Sequence, residues 1–168
     1  MASRDASPPM VNLPDGSSFK IGIAVAQWNP DVTMALLEGA QNTLKKAGVL
    51  KENIEVIQVP GSFELPWGAR HLLTSKKKNA IICLGCIIKG ETKHDDYIAS
   101  AVASGIMQLG LTSGVPIIFG VVTTNTPDQA LDRAGGKHGN KGAEAAVTAL
   151  QLAQLKQGDS SNKKTIGY

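Results

Sequence analysis

Aromatic residues, cysteines, net charge and long apolar runs are all scarce in this chain, and each shortage narrows what it can do. Surfaces that read nucleic acids combine a basic face with interleaved aromatics. Here the formal net charge is only +3, and much of the positive charge lies in Lys76-Lys77-Lys78 and Lys163-Lys164. These read as solvated loops, so no nucleic-acid partner is expected. No stretch reaches the ~18 apolar residues of a membrane span. The opening MASRDASPPM has none of the hydrophobic segment that directs secretion, so no membrane partner is expected. The expectation is a soluble cytoplasmic protein, with an organelle left open.

Cysteine is limited to Cys83 and Cys86. A chain of 168 residues buries about two-thirds of its unfolded surface without crosslinks, so it does not need disulfides. Both cysteines fall inside an apolar run, and residues three apart on a strand face opposite sides of a sheet. They read as small core residues rather than a metal or redox pair, and no metal site is expected. The familiar phosphate loops are missing too. No G-x-G-x-x-G follows the first apolar run and no G-x-x-x-x-G-K-[ST] occurs anywhere, which counts against dinucleotides and nucleoside triphosphates. The strand-end carboxylates of a phosphoacceptor domain are also absent, since the relevant runs end Ala26-Gln27 and Ile88-Lys89.

What the chain does have is alternation. Ala80–Ile88, AIICLGCII, reads as a strand buried on both faces of a parallel sheet, and Lys89–Asp96 as the polar loop at its carboxyl end. Lys20–Ala26, Ile54–Val59 and Pro116–Val122 read as three further strands. Helices are expected between them. One starts at Asn29-Pro30-Asp31 with Asn29 as N-cap and Pro30 in the first turn, and ends at Gly48. Others cover Leu65–Leu73, the stretch from Tyr97 to about Gly110, a segment after Thr126-Pro127-Asp128 stopped by Gly135-Gly136, and Ala143–Leu155. The predicted class is α/β: a three-layer αβα sandwich, flavodoxin-like, around a parallel four-stranded sheet. Residues 1–17 and 156–168 read as flexible tails around a domain spanning 18–155. An N-terminal strand exchanged with a neighbouring subunit would extend the sheet.

Ligands of such sheets sit at the carboxyl ends of the strands. Trp28, Ser62-Phe63-Glu64 and Gly90–His94 converge there. Each has an ordinary alternative: Trp28 as a staple over its helix, Glu64 as an exposed first-turn acid, His94 as a solvated residue at a helix start, Arg133 as a cation at a helix end. His71 and His138 have no comparable setting.

Taken together, PGSFELP at Pro60–Pro66, KGETKHDDYIA at Lys89–Ala99 and QALDRAGGKHGNKGAEAA at Gln129–Ala146 resemble the lumazine synthase family, in order and spacing, over Ser18–Leu155. The resemblance implies condensation of 5-amino-6-(D-ribitylamino)uracil with 3,4-dihydroxy-2-butanone 4-phosphate. The products are 6,7-dimethyl-8-ribityllumazine, phosphate and water, with no cofactor. It implies proton transfer by His94 and ring stacking on Trp28. Ser62, Phe63 and Glu64 would hold the ribityl chain and ring, and Cys86, Ile87 and Ile88 would line the substrate. Glu91, Thr92 and Arg133 would contact phosphate, with help from Lys141, and Phe119 would come from the adjacent subunit. A homo-oligomer follows, a pentamer and beyond it a sixty-subunit shell, because Gly135–Gly142 carries no insertion between the last two helices. Riboflavin synthase is a further partner that the resemblance suggests. A non-catalytic flavin or lumazine carrier, or a shell protein, is the alternative reading of the same scaffold. Three positions depart from the family pattern: Asp95 where an aromatic usually stands, Gln27 where arginine is common, and Trp28 where phenylalanine is commoner.

Overall fold

The computed structural model describes residues 12–163, and their side chains as far as residue 158. Strands and helices alternate as β1 (Ile21–Ala26), α1 (Pro30–Lys46), β2 (Ile54–Val59), α2 (Leu65–Ser75), β3 (Ala80–Ile88), α3 (His94–Ser113), β4 (Ile117–Thr124) and α4 (Pro127–Asp132). A short antiparallel hairpin, β5 (Ala134–Gly136) and β6 (Gly139–Asn140), then leads into α5 (Lys141–Lys163). The large sheet is parallel throughout, in the order β2-β1-β3-β4. This is the flavodoxin-like order. The chain steps outward from β1 to β2 and then crosses to the other side of β1, so the connections diverge between β1 and β3. A crevice opens at that point above the carboxyl ends of the strands.

Two separate apolar layers hold the helices on the sheet. Ile21, Ile23, Val25, Ile82, Leu84 and Cys86 face α1 and α5, where they meet Leu36, Leu44, Ala146 and Leu150. The alternate residues Ala24, Ala26, Ile81 and Cys83 face α2 and α3, where they meet Leu65, Leu72, Val102 and Ile106. The two cysteines thus lie in different layers, as the period of a strand requires. Every residue of β1 is buried, and so is β3 as far as Ile87, which is why neither strand shows polar alternation.

Three local features differ from the sequence expectations. Helix α5 begins at Lys141 and continues to Lys163, so residues 156–163 are helical and not a frayed tail. At the other end, Leu13 packs against the core and the Gly16 N–H donates to the Ala47 carbonyl at 2.7 Å, so the segment before Ser18 is tied to the end of α1. Residues 12–17 form no strand, and the rest of the tail expected to supply an N-terminal strand, residues 1–11, lies outside the described residues. Asn29 does occupy the N-cap position of α1, but its side chain makes no capping bond and its backbone is left-handed, at φ 58° and ψ 57°. No helix among the described residues is long and apolar enough to cross a membrane.

One ion pair stands at the opposite end of the sheet from the crevice. The buried Lys78 ammonium lies 2.6 Å from the Glu55 carboxylate and also donates to the Lys76 carbonyl. Chiefly through the Lys78 hydrogen bond, the Glu55 carboxyl is held below its ordinary value. A depressed carboxyl contributes stability in full above its unfolded pKa, about 4.5, and loses it as the pH falls through the folded value. Because 37% of the Glu55 side chain is exposed, the contribution is about 1 kcal/mol or less. Urea midpoints should therefore drop as the pH is lowered from about 5 to 3, and Glu55→Gln should flatten that dependence. An equally steep dependence in the variant would remove the pair from the acid response.

Candidate functional site

The crevice is built around one backbone atom, the carbonyl oxygen of Cys86 near the end of β3. It accepts the Asn29 Nδ2–H at 3.3 Å from the loop after β1, and the Ser62 hydroxyl at 3.3 Å from the turn after β2. Three strand ends are thereby tied to one point. Gly85 makes the approach possible: a Cβ there would stand 2.6 Å from Ser62 Oγ. The left-handed backbone of Asn29 turns its side chain toward β3, and asparagine is among the few residues that adopt this conformation readily. Its cap-like sequence signal was real, but the amide serves the neighbouring strand and not the helix.

On this tie rests a platform of exposed rings. Trp28 is 72% exposed and Phe63 59% exposed, although both belong to ordered loops beside the core. The Trp28 N–H donates to the Pro60 carbonyl at 3.2 Å, which sets the indole beside the Pro60-Gly61 turn. Glu64 closes that turn, its carboxylate accepting the Gly61 N–H at 2.9 Å and its own N–H donating to the Gly61 carbonyl at 3.2 Å. A carboxylate has about four lone-pair sites, so this bond leaves Glu64 acceptors free to face a hydroxylated ligand. The Cys86 side chain takes no part in chemistry. Burial pushes its thiol up to about 11 and that of Cys83 up to about 12, so neither is a nucleophile at neutral pH.

Next to the platform, between the ends of β3 and β4 and the starts of α3 and α4, lies an open cavity of about 600 Å³. Its lining includes Ile87, Lys89, Asp95, Thr124, Arg133 and His138. Of the residues expected to meet at a site, Ile87 and Arg133 stand in this cavity and Ile88 lies beside it, paired with Thr124 across the sheet. His94 is the first residue of α3, exposed and without a side-chain partner among the described residues, and Asp95 and Asp96 after it line the cavity. Glu91 and Thr92 are exposed in the loop before it and line no part of the cavity. Lys141 opens α5 and its Nζ pairs with Glu144 at 2.6 Å; only its backbone reaches the region, donating to the Arg133 carbonyl.

Phe119 stands apart. It pairs with Cys83 in mid-sheet and, at ~3.3 Å per residue, lies about 16 Å short of Thr124 and the strand end. On the edge strand β4 it is 40% exposed and belongs to neither apolar layer. Within one subunit it cannot join the crevice. Among the described residues no three His, Cys, Asp or Glu side chains are placed to hold a metal ion.

Comparison with known proteins places this geometry. A family profile described as 6,7-dimethyl-8-ribityllumazine synthase matches residues 18–157. The chain belongs to the 6,7-dimethyl-8-ribityllumazine synthase family. A lumazine synthase of Parabacteroides distasonis is 54% identical over 144 residues, covering 86% of this chain and 90% of that protein. One of Cytophaga hutchinsonii is 50% identical over 151 residues, covering 90% and 95%. A lumazine synthase of Arabidopsis thaliana described as chloroplastic is 51% identical over 140 residues, covering 83% of this chain and 62% of that protein. The sequence reading missed three residues of this lumazine synthase crevice: Asn29 as a tie between strands, and Lys89 and His138 in the cavity wall. Only Asn29 carried a local signal, since an Asn-Pro pair marks a turn where left-handed backbone is tolerated.

Proposed function

We propose that this chain catalyses the lumazine synthase reaction of riboflavin biosynthesis, a transferase step. It joins 5-amino-6-(D-ribitylamino)uracil to 3,4-dihydroxy-2-butanone 4-phosphate and releases 6,7-dimethyl-8-ribityllumazine, phosphate and water. The observation that carries the reading is the exposed Trp28 ring beside the Ser62–Glu64 turn, at the switch point of the sheet where the adjoining Asn29 and Ser62 are fastened to the Cys86 carbonyl. An exposed ring that is held in place suits stacking on a flat pyrimidine. The turn supplies backbone groups and a carboxylate for ribityl hydroxyls. Family membership favours this enzyme reading over a non-catalytic carrier or shell protein.

The reaction asks mainly for two substrates held in register and for protons moved between them. The aryl amine adds to the ketone and water leaves as an imine forms. Tautomerisation then expels phosphate and leaves a new ketone, and the second nitrogen closes the ring onto it with loss of a second water. Pyrimidine on the platform and phosphate in the Arg133 cavity would bring the ketone between them, near the start of α3 where His94 stands. An imidazole with no internal partner is free to pass protons there. Arg133 has the planar fork that suits a phosphate. Glu91 and Thr92 line no part of that cavity and reach the phosphate only if their loop moves toward it, then through backbone N–H and hydroxyl donors, because the Glu91 carboxylate would repel the anion. Lys141 assists only if it exchanges Glu144 for substrate.

Phe119 argues for assembly, since its exposed ring on an edge strand lies too far from its own crevice and is presented to a neighbour. The enzyme is then a homo-oligomer, a pentamer in the first instance. The short β5–β6 connection leaves room for rings to pack into a sixty-subunit shell, which could enclose riboflavin synthase. Its site in the cell is proposed as the cytoplasm, with an organelle as the alternative.

Two measurements test these proposals. His94→Ala should lower turnover by ~10²-fold, after subtraction of the uncatalysed condensation, without changing the unfolding midpoint. Unchanged turnover at saturating substrates would remove His94 from proton transfer. Sedimentation at neutral pH should show a species of sixty-subunit mass, and a pentamer as the sole species across several buffers would defeat the shell.

A further inference from the structure

The cavity beside the platform holds an unusual electrostatic arrangement. Lys89, Arg133 and His138 line it together with Asp95, Asp96 and Asp132. Yet neither of the ion pairs Lys78–Glu55 and Lys141–Glu144 involves a residue of this cavity. Among the described residues no side-chain hydrogen bond engages Lys89, Arg133 or His138 either, and the one bond to a carboxylate of the cavity is from the Gly90 N–H to Asp95 at 3.5 Å. Donors and acids therefore share a cavity without neutralising one another. The acids of α3 lie on one side, and Arg133 and His138 on the other.

The placement of His138 is fixed by the backbone. The β5–β6 hairpin turns back on itself between Gly136 and Gly139, with Gly135 at φ 116° and Gly139 at φ 77°, values that side chains rarely tolerate. The His138 N–H donates to the Asp132 carbonyl at 2.8 Å, and the Lys141 N–H to the Arg133 carbonyl at 2.8 Å. This stitching returns His138 to the residue before Arg133, and both residues line one cavity.

We propose that His138 is a second anchor for the phosphate of the butanone substrate, beside Arg133; this rests on the lumazine synthase reading given above. A phosphate monoester has three terminal oxygens, and the fork of one arginine serves two of them. An imidazole carries at least one N–H donor in either charge state, so it has a donor for the remaining oxygen. The second anchor also offsets Asp132 and the α3 acids, which would otherwise weaken a lone arginine as an anion site.

Steady-state kinetics of the full-length protein test this, with each substrate varied in turn and inorganic phosphate added as a competitor. His138→Ala should raise the KM for the butanone phosphate and the inhibition constant of phosphate by about tenfold each, with kcat and the KM for the pyrimidine changed less than about twofold. His138→Gln, which keeps an N–H donor, should recover most of the loss. An unchanged KM for the butanone phosphate in His138→Ala, alongside a raised one in Arg133→Ala, would overturn the role of His138 and leave the function intact. An equal rise for both substrates, unrescued by glutamine, would overturn it in favour of a purely structural hairpin. Absence of turnover in the unaltered protein would overturn the functional reading, and this inference with it.

Discussion

The carbonyl of Cys86 is the constraint on which the site depends. A strand end normally leaves its last carbonyls to water, but this one accepts an amide from the loop after β1 and a hydroxyl from the turn after β2. A buried acceptor that lost both donors would go unpaired at a cost of about 1–3 kcal/mol. Each loop is therefore held in a position it would not keep by itself. Asn29 accepts a left-handed backbone to reach this bond, and Gly85 gives up a side chain so that Ser62 can. These features carry the rings of Trp28 and Phe63 out of the core and keep them there.

The two halves of the crevice are built on different principles. The platform is fixed by hydrogen bonds that all run to backbone, so its shape is set before any ligand arrives. The cavity beside it is left electrostatically open, lined by cations and carboxylates with no ion pair between them. A rigid surface suits a flat ring, and unpaired cations suit a phosphate whose charge they can meet without first breaking an internal bond. Phe119 lies apart from both, on the sheet edge, exposed and outside the two apolar layers.

Much of this was legible from residues. Ala80–Ile88 was read with its observed bounds because a strand buried on both faces is an apolar run cut off sharply by a polar loop, and Ile54–Val59 because its Ile and Val residues alternate with Glu55 and Gln58 on a half-buried edge. Trp28, Ser62 and Glu64 were placed at strand ends because polar loops follow the strands there, whereas Arg133 was singled out only by the family resemblance. The hairpin at Ala134–Asn140 was read as a plain linker, since glycines carry no periodicity and its two strands are held by backbone bonds alone. The end of α5 was misread because residues 156–163 show no apolar stripe; the helix is anchored earlier, by Ala146, Leu150 and Ala153. His138 was passed over because nothing in the local sequence reveals that the chain returns it to Asp132.

The central claim is that the Cys86 tie holds the ring platform in place, and it is tested most directly by titrating Trp28 fluorescence with 6,7-dimethyl-8-ribityllumazine. The titration is run in the unaltered protein and in Asn29→Gly, which keeps the left-handed backbone but loses the amide. Trp28→Phe, which retains Trp67, supplies the background. The account predicts clear quenching that disappears in Trp28→Phe, and an affinity weakened about fivefold or more in Asn29→Gly. Quenching that survives Trp28→Phe, or an affinity untouched by Asn29→Gly, would contradict it.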